Sequence, residues 1–347
     1  MLKIKKHGVI LEPSELEFEK KSVLNPGIWK DGEFVHIFYR AIDSQNKSTI
    51  GYAKLKGPTT VVERGQFPIM TREFDYEKVG VEDPRIVKVG KTFYVFYVAH
   101  DGKNAVTAYA TSTDLKKFKK QGIISPLISY REAEKLFSES SLKDSYYFFS
   151  SYYQNHEGKN VLIWEKDVFL FPKKINGQYA LIHRILPDIQ IAFFKNFNEL
   201  TPDYWRGQIK NLSKNIILEN KHWFESRNIG GGCPPLLTDD GWLLIFHTVE
   251  ENNKGRVYHA CAALLDKKNP RKIIARLHDP LFSPTKKWEK KGLISNVVFP
   301  TGTALFGPDL YIYYGAADRA VAVASVKLKN LIAEIKKSRH NNAYQET

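Results

Sequence analysis

Apolar and aromatic residues along the chain gather in short runs, and five of these runs follow a tight-turn signal and close on a polar residue. They are Phe34–Arg40 after Asp31 and Gly32, Phe93–His100 after Gly90 and Lys91, and Tyr179–Arg184 after Asn176 and Gly177. Trp242–His247 follows Asp240 and Gly241, and Leu310–Asp318 follows Gly307, Pro308 and Asp309. Gly and Asn accept the positive φ that hairpin turns need, so each signal predicts two antiparallel strands meeting at a turn. The signals recur at roughly 60 to 85 residues, which points to a repeated unit.

Four-stranded sheets repeated around an axis bury their faces against one another and keep only short, protected edges, and five such blades fit 347 residues. The expected fold is all-β, a five-bladed β-propeller formed by residues 1–328 as one domain, with a short helical, basic tail at 329–347. A doubly wound α/β fold would need long amphipathic helices between strands, and only Tyr130–Phe137 and Asn330–Lys337 read as helical. The segment 130–160 is longer than a blade connection requires and reads as an insertion. If the innermost strands converge on the axis, the polar ends Arg40, His183, Arg184, His247 and Asp318 meet in one central pocket.

Charge narrows the partners. Lys plus Arg number 52 against 38 Asp plus Glu, a net charge of +14, so an anion is expected. The lysines are scattered through turn-like places such as Lys116–Lys117, Lys173–Lys174 and Lys286–Lys287, with no basic helix or aromatic-interleaved motif, which argues against nucleic acid. A small anion held by a few convergent cations fits better. No apolar run reaches the roughly 18 residues of a membrane span, and the start of the chain carries no long apolar segment of a signal peptide. Cys233 and Cys261 stand outside any paired motif, which suggests reduced thiols in a cytoplasm. His247 and His259 have no closely spaced His or Cys partner, so no metal is expected. Glycines 230 to 232 are not followed by Lys-Ser/Thr, so no nucleotide loop is expected either.

The stretch Gly80–Arg85 carries the chemistry. Glu82 and Asp83 are adjacent, Pro84 fixes the local backbone, and Arg85 follows. Neighbouring carboxylates repel, so such a pair persists where a cation neutralises one of them or where one is kept protonated as an acid. The plainer reading is a solvated turn.

Further segments in order settle the comparison: Asn25–Gly27, Tyr39–Ala41, Gly80–Arg85, Lys166–Pro172, His183–Arg184, Ile229–Pro235, Gly241–His247, Leu264–Asp266, Asn296–Gly302 and Tyr313–Asp318. Together, from about Asn25 to Leu328, they resemble glycoside hydrolase family 130, the β-mannoside phosphorylases and related β-mannosidases. The resemblance implies a five-bladed propeller and an inverting phosphorylase that releases α-mannose 1-phosphate from β-linked mannobiose or manno-oligosaccharides. It implies no cofactor, with inorganic phosphate as co-substrate and a sugar as the other partner. Asp83 then maps to the proton donor, with Glu82 and Arg85 orienting it or the bound sugar. Asn25, Arg40, Asp167 and Asp318 would read sugar hydroxyls, and Lys166, His183, Arg184, Arg227 and His247 would cradle phosphate. The aromatic residues Tyr146–Tyr153 of the insertion would stack on an acceptor sugar or pack between the subunits of a homo-oligomer.

Departures from the family pattern lie around the phosphate position. Glu165 stands where Asn commonly precedes Lys-Asp, Asn228 follows Arg227 where a Lys or Arg usually precedes Ile-Gly, and Thr248 replaces a Gly after His247. They keep a β-mannosidase in view, because an inverting hydrolase needs a second carboxylate to activate water, and Glu225 or Glu250 would be that base. Two plainer possibilities also stand: a sugar-binding propeller without catalysis, and an interaction scaffold. Under them His183 and Arg184 would pair with Asp188 at a sheet edge and Asp318 would cap a strand.

Overall fold

The five turn signals all fall between the first and second strands of antiparallel meanders. A computed structural model of the chain describes residues 2–342, with side chains to Ser338. The first meander comprises Ser22–Asp31, Phe34–Ile42, Ser48–Lys56 and Thr60–Arg64, and the second Gly80–Val89, Thr92–His100, Ala105–Ser112 and Lys119–Ile123. The third comprises Lys166–Leu170, Tyr179–Arg184, Ile189–Phe194 and Ile216–Leu218. In the fourth, Asn228–Gly231 and Leu236–Leu237 flank Trp242–Asn252, followed by Gly255–Leu265 and Ile273–Arg276. In the fifth, Val298–Phe306, Asp309–Ala316 and Ala320–Lys327 are completed by Lys5–Leu11 from the far end of the chain. The first and second meanders join into one sheet through a parallel bridge between Ser48 and Gly80.

The first strands face inward. Ser22–Asp31 packs against both Gly80–Val89 and Val298–Phe306, and Lys166–Leu170 packs against Gly80–Val89 and Asn228–Gly231. Trp242–Asn252 and Gly255–Leu265 together carry the contact from the fourth meander to Val298–Phe306 of the fifth. Between the sheets lie layers of β-branched and aromatic side chains, for example Val35, Ile37, Tyr39, Val321 and Val323 between the first and fifth meanders. Their alternation along each strand is what the period-two pattern requires of a sheet buried on both faces.

Four meanders share a buried device. Glu19, Glu77, Glu225 and Glu289 are fully buried, each at the end of a short helical turn before a first strand. Each pairs with a base on the outermost strand of its own meander: Arg64, Lys120, Arg276 and Lys6 respectively. In three of them a second-strand tyrosine donates its hydroxyl as well, Tyr39 at 2.5 Å, Tyr97 at 2.7 Å and Tyr314 at 2.8 Å. One carboxylate thus ties the entry turn to the second and outer strands. Desolvating it is tolerable only because its lone pairs are taken up.

The helices correct the reading of the sequence. Tyr130–Phe137 is helical as expected, capped by Ser129, whose hydroxyl accepts from Glu132 N–H. Ser145–Glu157 and Pro202–Lys210 are helices that the pattern did not predict. Ser145–Glu157 has aromatic side chains around its circumference: Tyr146 and Phe149 are buried while Phe148 is exposed, so no apolar stripe marks it. The tail helix runs Leu328–Asn342 and buries Leu331, Ile332 and Ile335; positions 343–347 of the expected tail lie outside the described residues.

Removing one partner of a buried ion pair leaves an uncompensated charge, at about 3–5 kcal/mol. Glu77→Gln is therefore expected to destabilise the fold by about that much in urea unfolding, and adding Lys120→Met should recover part of it. A loss below about 0.5 kcal/mol for Glu77→Gln would contradict this role.

Candidate functional site

Irregular backbone, rather than regular strand, aims the polar groups. Asn25, Asp83 and Asp167 occupy the left-handed region with φ of 47°, 51° and 61°, each near the start of a first strand. The pairing register slips at each of these places, between Leu24 and Gly27, Glu82 and Arg85, and Lys166 and Phe169. A bulge of this kind turns a side chain that would lie between sheets toward the centre. Asp318, φ 51°, does the same just past the end of Asp309–Ala316. Close approach of strands completes the arrangement: a Cβ on Gly230 would lie 2.3 Å from the His247 ring and 2.6 Å from Asp167, so the glycine run makes room for side chains.

These residues open on one cavity of about 220 Å³. Of the residues expected at a site, Asn25, Arg40, Asp83, Lys166, Asp167, Arg184, Arg227, His247 and Asp318 line it. Glu82 and Arg85 stand behind it: Glu82 receives Arg40 Nη2 at 2.7 Å, and Arg85 donates to Gly232 O at 2.6 Å and to Asp83 O at 2.9 Å. They pair with Arg40 and with the Asp83 carbonyl and do not line the cavity.

His183 does not line the cavity. Its ring is buried, with Nδ1 3.0 Å from Glu165 Oε1 and an edge-on contact to Trp205. It lies next to last in its second strand, on the face away from Arg184, whereas the second strands of Arg40 and His247 run on past them to Ile42 and Asn252. Arg184 reaches Asp167 at 3.0 Å and not Asp188, which Lys143 and Tyr146 hold. Neither proposed base is at the site. Glu225 caps Lys221 and His222 N–H and pairs with Arg276, while Glu250 faces His259 at 3.3 Å. The polar second-strand ends therefore only partly converge, and the first strands contribute as much as they do.

Tyr153, from the helix Ser145–Glu157, brings the aromatic cluster of the insertion to the cavity. Other wall residues escaped the sequence reading: Trp164 just past the insertion, and Arg256, Tyr258 and Phe299 from the fourth and fifth meanders. A signal for Arg256 existed in the alternation of Arg256, Tyr258 and Ala260 along the strand after Trp242–Asn252; nothing local marked Trp164.

The cavity is electrically divided. On one side Asp83 Oδ1 accepts from Asn25 Nδ2 at 2.8 Å and lies 3.5 Å from Arg40 Nη1. Burial, with the neighbouring Asp83 and Glu82 outweighing part of the Arg40 attraction, raises Asp318 from 3.8 to about 6. Arg40 is itself desolvated, yet Glu82, Asp83 and Asp318 raise its pKa. On the other side burial would raise Asp167, but Arg184, His247 and Arg85 bring it below the ordinary carboxylate value. Burial lowers His247 to about 4, so it faces the cavity as a neutral imidazole. Among the described residues no group of three His, Cys, Asp or Glu is placed to hold a metal.

A carboxylic acid fixed opposite a cationic, aromatic-walled cavity at the centre of an all-β fold is the layout of a carbohydrate-active enzyme that also takes an anion. The chain belongs to glycoside hydrolase family 130: the family model described as beta-1,4-mannooligosaccharide phosphorylase matches residues 6–337. Among curated relatives, a 1,2-β-oligomannan phosphorylase of Thermoanaerobacter sp. (strain X514) is 32% identical over 95% of this chain and 99% of its own. A β-1,2-mannobiose phosphorylase of the same organism is 34% identical over 92% and 94%. Among solved structures, the Listeria innocua β-1,2-mannobiose phosphorylase in complex with β-1,2-mannobiose aligns with a TM-score of 0.72 at 21% identity, covering 96% of this chain and 99% of that one. A structure reported with family glycoside hydrolases that target β-1,2-mannosidic linkages in Candida mannan aligns with a TM-score of 0.73 at 21% identity, over 94% of both chains.

Because its folded pKa is raised, Asp318 contributes stability that is complete below its ordinary value of 3.8 and lost as pH rises through about 6. Relative to Asp318→Asn, the wild type should lose on the order of 3 kcal/mol of unfolding free energy between about pH 4 and pH 7. Parallel pH curves for the two proteins would contradict the assignment.

Proposed function

We propose that the chain is an inverting β-mannoside phosphorylase whose general acid is Asp83. The observation that carries the reading is the division of the cavity: Asp83, positioned by Asn25 and Arg40, shares it with the cations Lys166, Arg184, Arg227 and Arg256, while Glu225 and Glu250, the carboxylates that would serve a hydrolase as base, are paired outside it. Asp167 is committed to Arg184, and Asp318 sits with Asp83 beside Arg40.

In this reaction Asp83 gives its proton to the glycosidic oxygen as the bond from the anomeric carbon breaks. Phosphate attacks that carbon from the opposite face, so the product is α-mannose 1-phosphate and the departing sugar leaves with a free hydroxyl. Phosphate arrives already ionised, which is why cations rather than a base are needed. Lys166 and the guanidinium groups of Arg184, Arg227 and Arg256 place it, with neutral His247 as a hydrogen-bond partner. Arg40, Asn25, Asp167 and Asp318 are suited to sugar hydroxyls. Tyr153 and Trp164 give a ring surface for the acceptor sugar.

The five meanders are blades of a five-bladed propeller, in this reading, with 1–328 as one catalytic domain and 130–160 as an insertion that shapes the acceptor side. Lys5–Leu11 in the fifth sheet supports ring closure. β-1,2-linked mannobiose and oligomannan are the favoured substrates, since both relatives that match nearly the whole chain are named for them. A cytoplasmic location agrees with two buried, unpaired cysteines, and no helix among the described residues is long and apolar enough to cross a membrane.

Incubation with β-1,2- and β-1,4-mannobiose, with and without phosphate, should yield mannose 1-phosphate only when phosphate is present. Free mannose released at the same rate in phosphate-free buffer would refute phosphorolysis. Asp83→Asn keeps the shape and removes the proton, so its turnover should fall by roughly a hundredfold to ten-thousandfold; near-normal turnover would remove Asp83 from the role.

A further inference from the structure

At the cavity mouth two guanidinium groups share one carboxylate. Arg227 Nη1 lies 2.7 Å from Glu251 Oε2, and Arg256 Nε lies 3.0 Å from Glu251 Oε1. Both arginines line the cavity and Glu251 does not. Each arginine has other supports. Arg227 lies over the Phe149 and Tyr152 rings at 5.2 and 5.5 Å, and Arg256 is anchored in the strand Gly255–Leu265 beside the Tyr152 hydroxyl. The Glu251 backbone is pinned by Ser226, whose Oγ accepts from Glu251 N–H at 2.9 Å, while its side chain is 45% exposed. The carboxylate is therefore free to rotate into water without disturbing the core.

A carboxylate and a phosphate compete for guanidinium groups through the same paired N–H geometry. We propose that Glu251 is an internal competitor for the anion: it occupies Arg227 and Arg256 in the free protein and is displaced when phosphate enters. The inference rests on the phosphorolysis reading and adds how the site sets its phosphate affinity. Arg184 is paired with Asp167 and neither it nor Lys166 pairs with Glu251, so both bind the anion in either state. Glu251 then acts on phosphate binding and little on the bond-breaking step. Mannose 1-phosphate, which carries the same phosphoryl group, is subject to the same competition.

The test is equilibrium binding of inorganic phosphate to the full chain by titration calorimetry, for wild type and Glu251→Gln, with Asp309→Asn as a charge control. Asp309 pairs with Lys327 on the outer part of the fifth meander. Glu251→Gln should bind phosphate roughly three- to tenfold more tightly, with the gain shrinking as salt is raised. Asp309→Asn should match wild type. In turnover the phosphate KM of Glu251→Gln should fall by the same factor while the mannobiose KM stays within about twofold.

Phosphate affinity unchanged or weakened in Glu251→Gln would overturn the proposal, since Glu251 would then be orienting the arginines. Equal tightening in Asp309→Asn would overturn it too, as an effect of net charge. If mannobiose is split equally fast without phosphate, the phosphorolysis reading falls, and the calorimetric comparison still decides whether Glu251 competes with an anion at Arg227 and Arg256.

Discussion

Arg85 is 1% exposed, and its guanidinium meets residues of four meanders at the centre of the molecule. Within its own strand it donates to Asp83 O at 2.9 Å; across the centre it donates to Gly232 O at 2.6 Å, lies 3.5 Å from Asp167 Oδ1, and sits 5.6 Å from the centre of the Phe299 ring. Burial lowers its pKa, and Asp167 and Asp83 offset part of that penalty. A guanidinium stripped of water is tolerable only when its donors are used, so Asp167, Gly232 and the Asp83 carbonyl must stay where they are. Asp83 and Asp167 thereby hold their left-handed conformations against the pull toward regular strand. Removing Arg85 would release the acid and its opposite wall together.

The buried glutamates act at the periphery as Arg85 acts at the centre. Glu19, Glu77, Glu225 and Glu289 each secure a meander from its entry turn to its outer strand, and Lys6 extends this to the strand that comes from the other end of the chain. The third meander has no such glutamate. Its nearest counterpart in chemistry is Asp188, which collects the Tyr146 hydroxyl, the Lys143 ammonium and the Asn220 N–H, two of the three from the insertion. The helix Ser145–Glu157 is thus tied to the third meander by a buried carboxylate as well as by apolar packing, and Tyr130–Phe137 by apolar packing. That attachment is what allows Tyr153 to stand as a fixed wall of the cavity.

Turn chemistry is local, and so it was legible: Gly32, Gly90, Asn176, Gly241 and Gly307 all need unusual backbone and all mark the same place in their meanders. Asp83 was legible because two acids, a proline and an arginine in sequence have few other uses. The glutamate device was written in the chain too, as Phe18-Glu19, Tyr76-Glu77, Phe224-Glu225 and Trp288-Glu289. From sequence alone Glu225 reads equally as one of the two bases of the alternative hydrolase, because a buried carboxylate and a catalytic one have the same letter. Trp164-Glu165 copies the letters without the position, falling two residues before the left-handed Asp167 where Glu19 and Glu77 precede Asn25 and Asp83 by six. His183 failed for a geometric reason: strand alternation sends it and Arg184 to opposite faces, and sequence alone does not say which face is the cavity.

The separation of charge across the cavity explains how one small space can hold an acid and an anion without confusing them. Glu82, Asp83 and Asp318 cluster around Arg40, while Arg184, Arg227, Arg256 and Lys166 lie toward the third and fourth meanders, where Asp167 and Glu251 are already paired. In the proposed reaction a phosphate dianion would be repelled from the first group and drawn to the second, which would give it one orientation relative to a sugar bound between them. Within that group burial, with Asp83 and Glu82 close by, raises Asp318 to about 6 against the pull of Arg40. The departures at Asn228 and Thr248 leave this division intact: Asn228 lines the cavity and Thr248 is buried behind it, while Arg227 and Arg256 supply the outer positive charge. In the proposed reaction, the polarity of the cavity, more than the identity of any one cation, would set which face of the sugar the anion approaches.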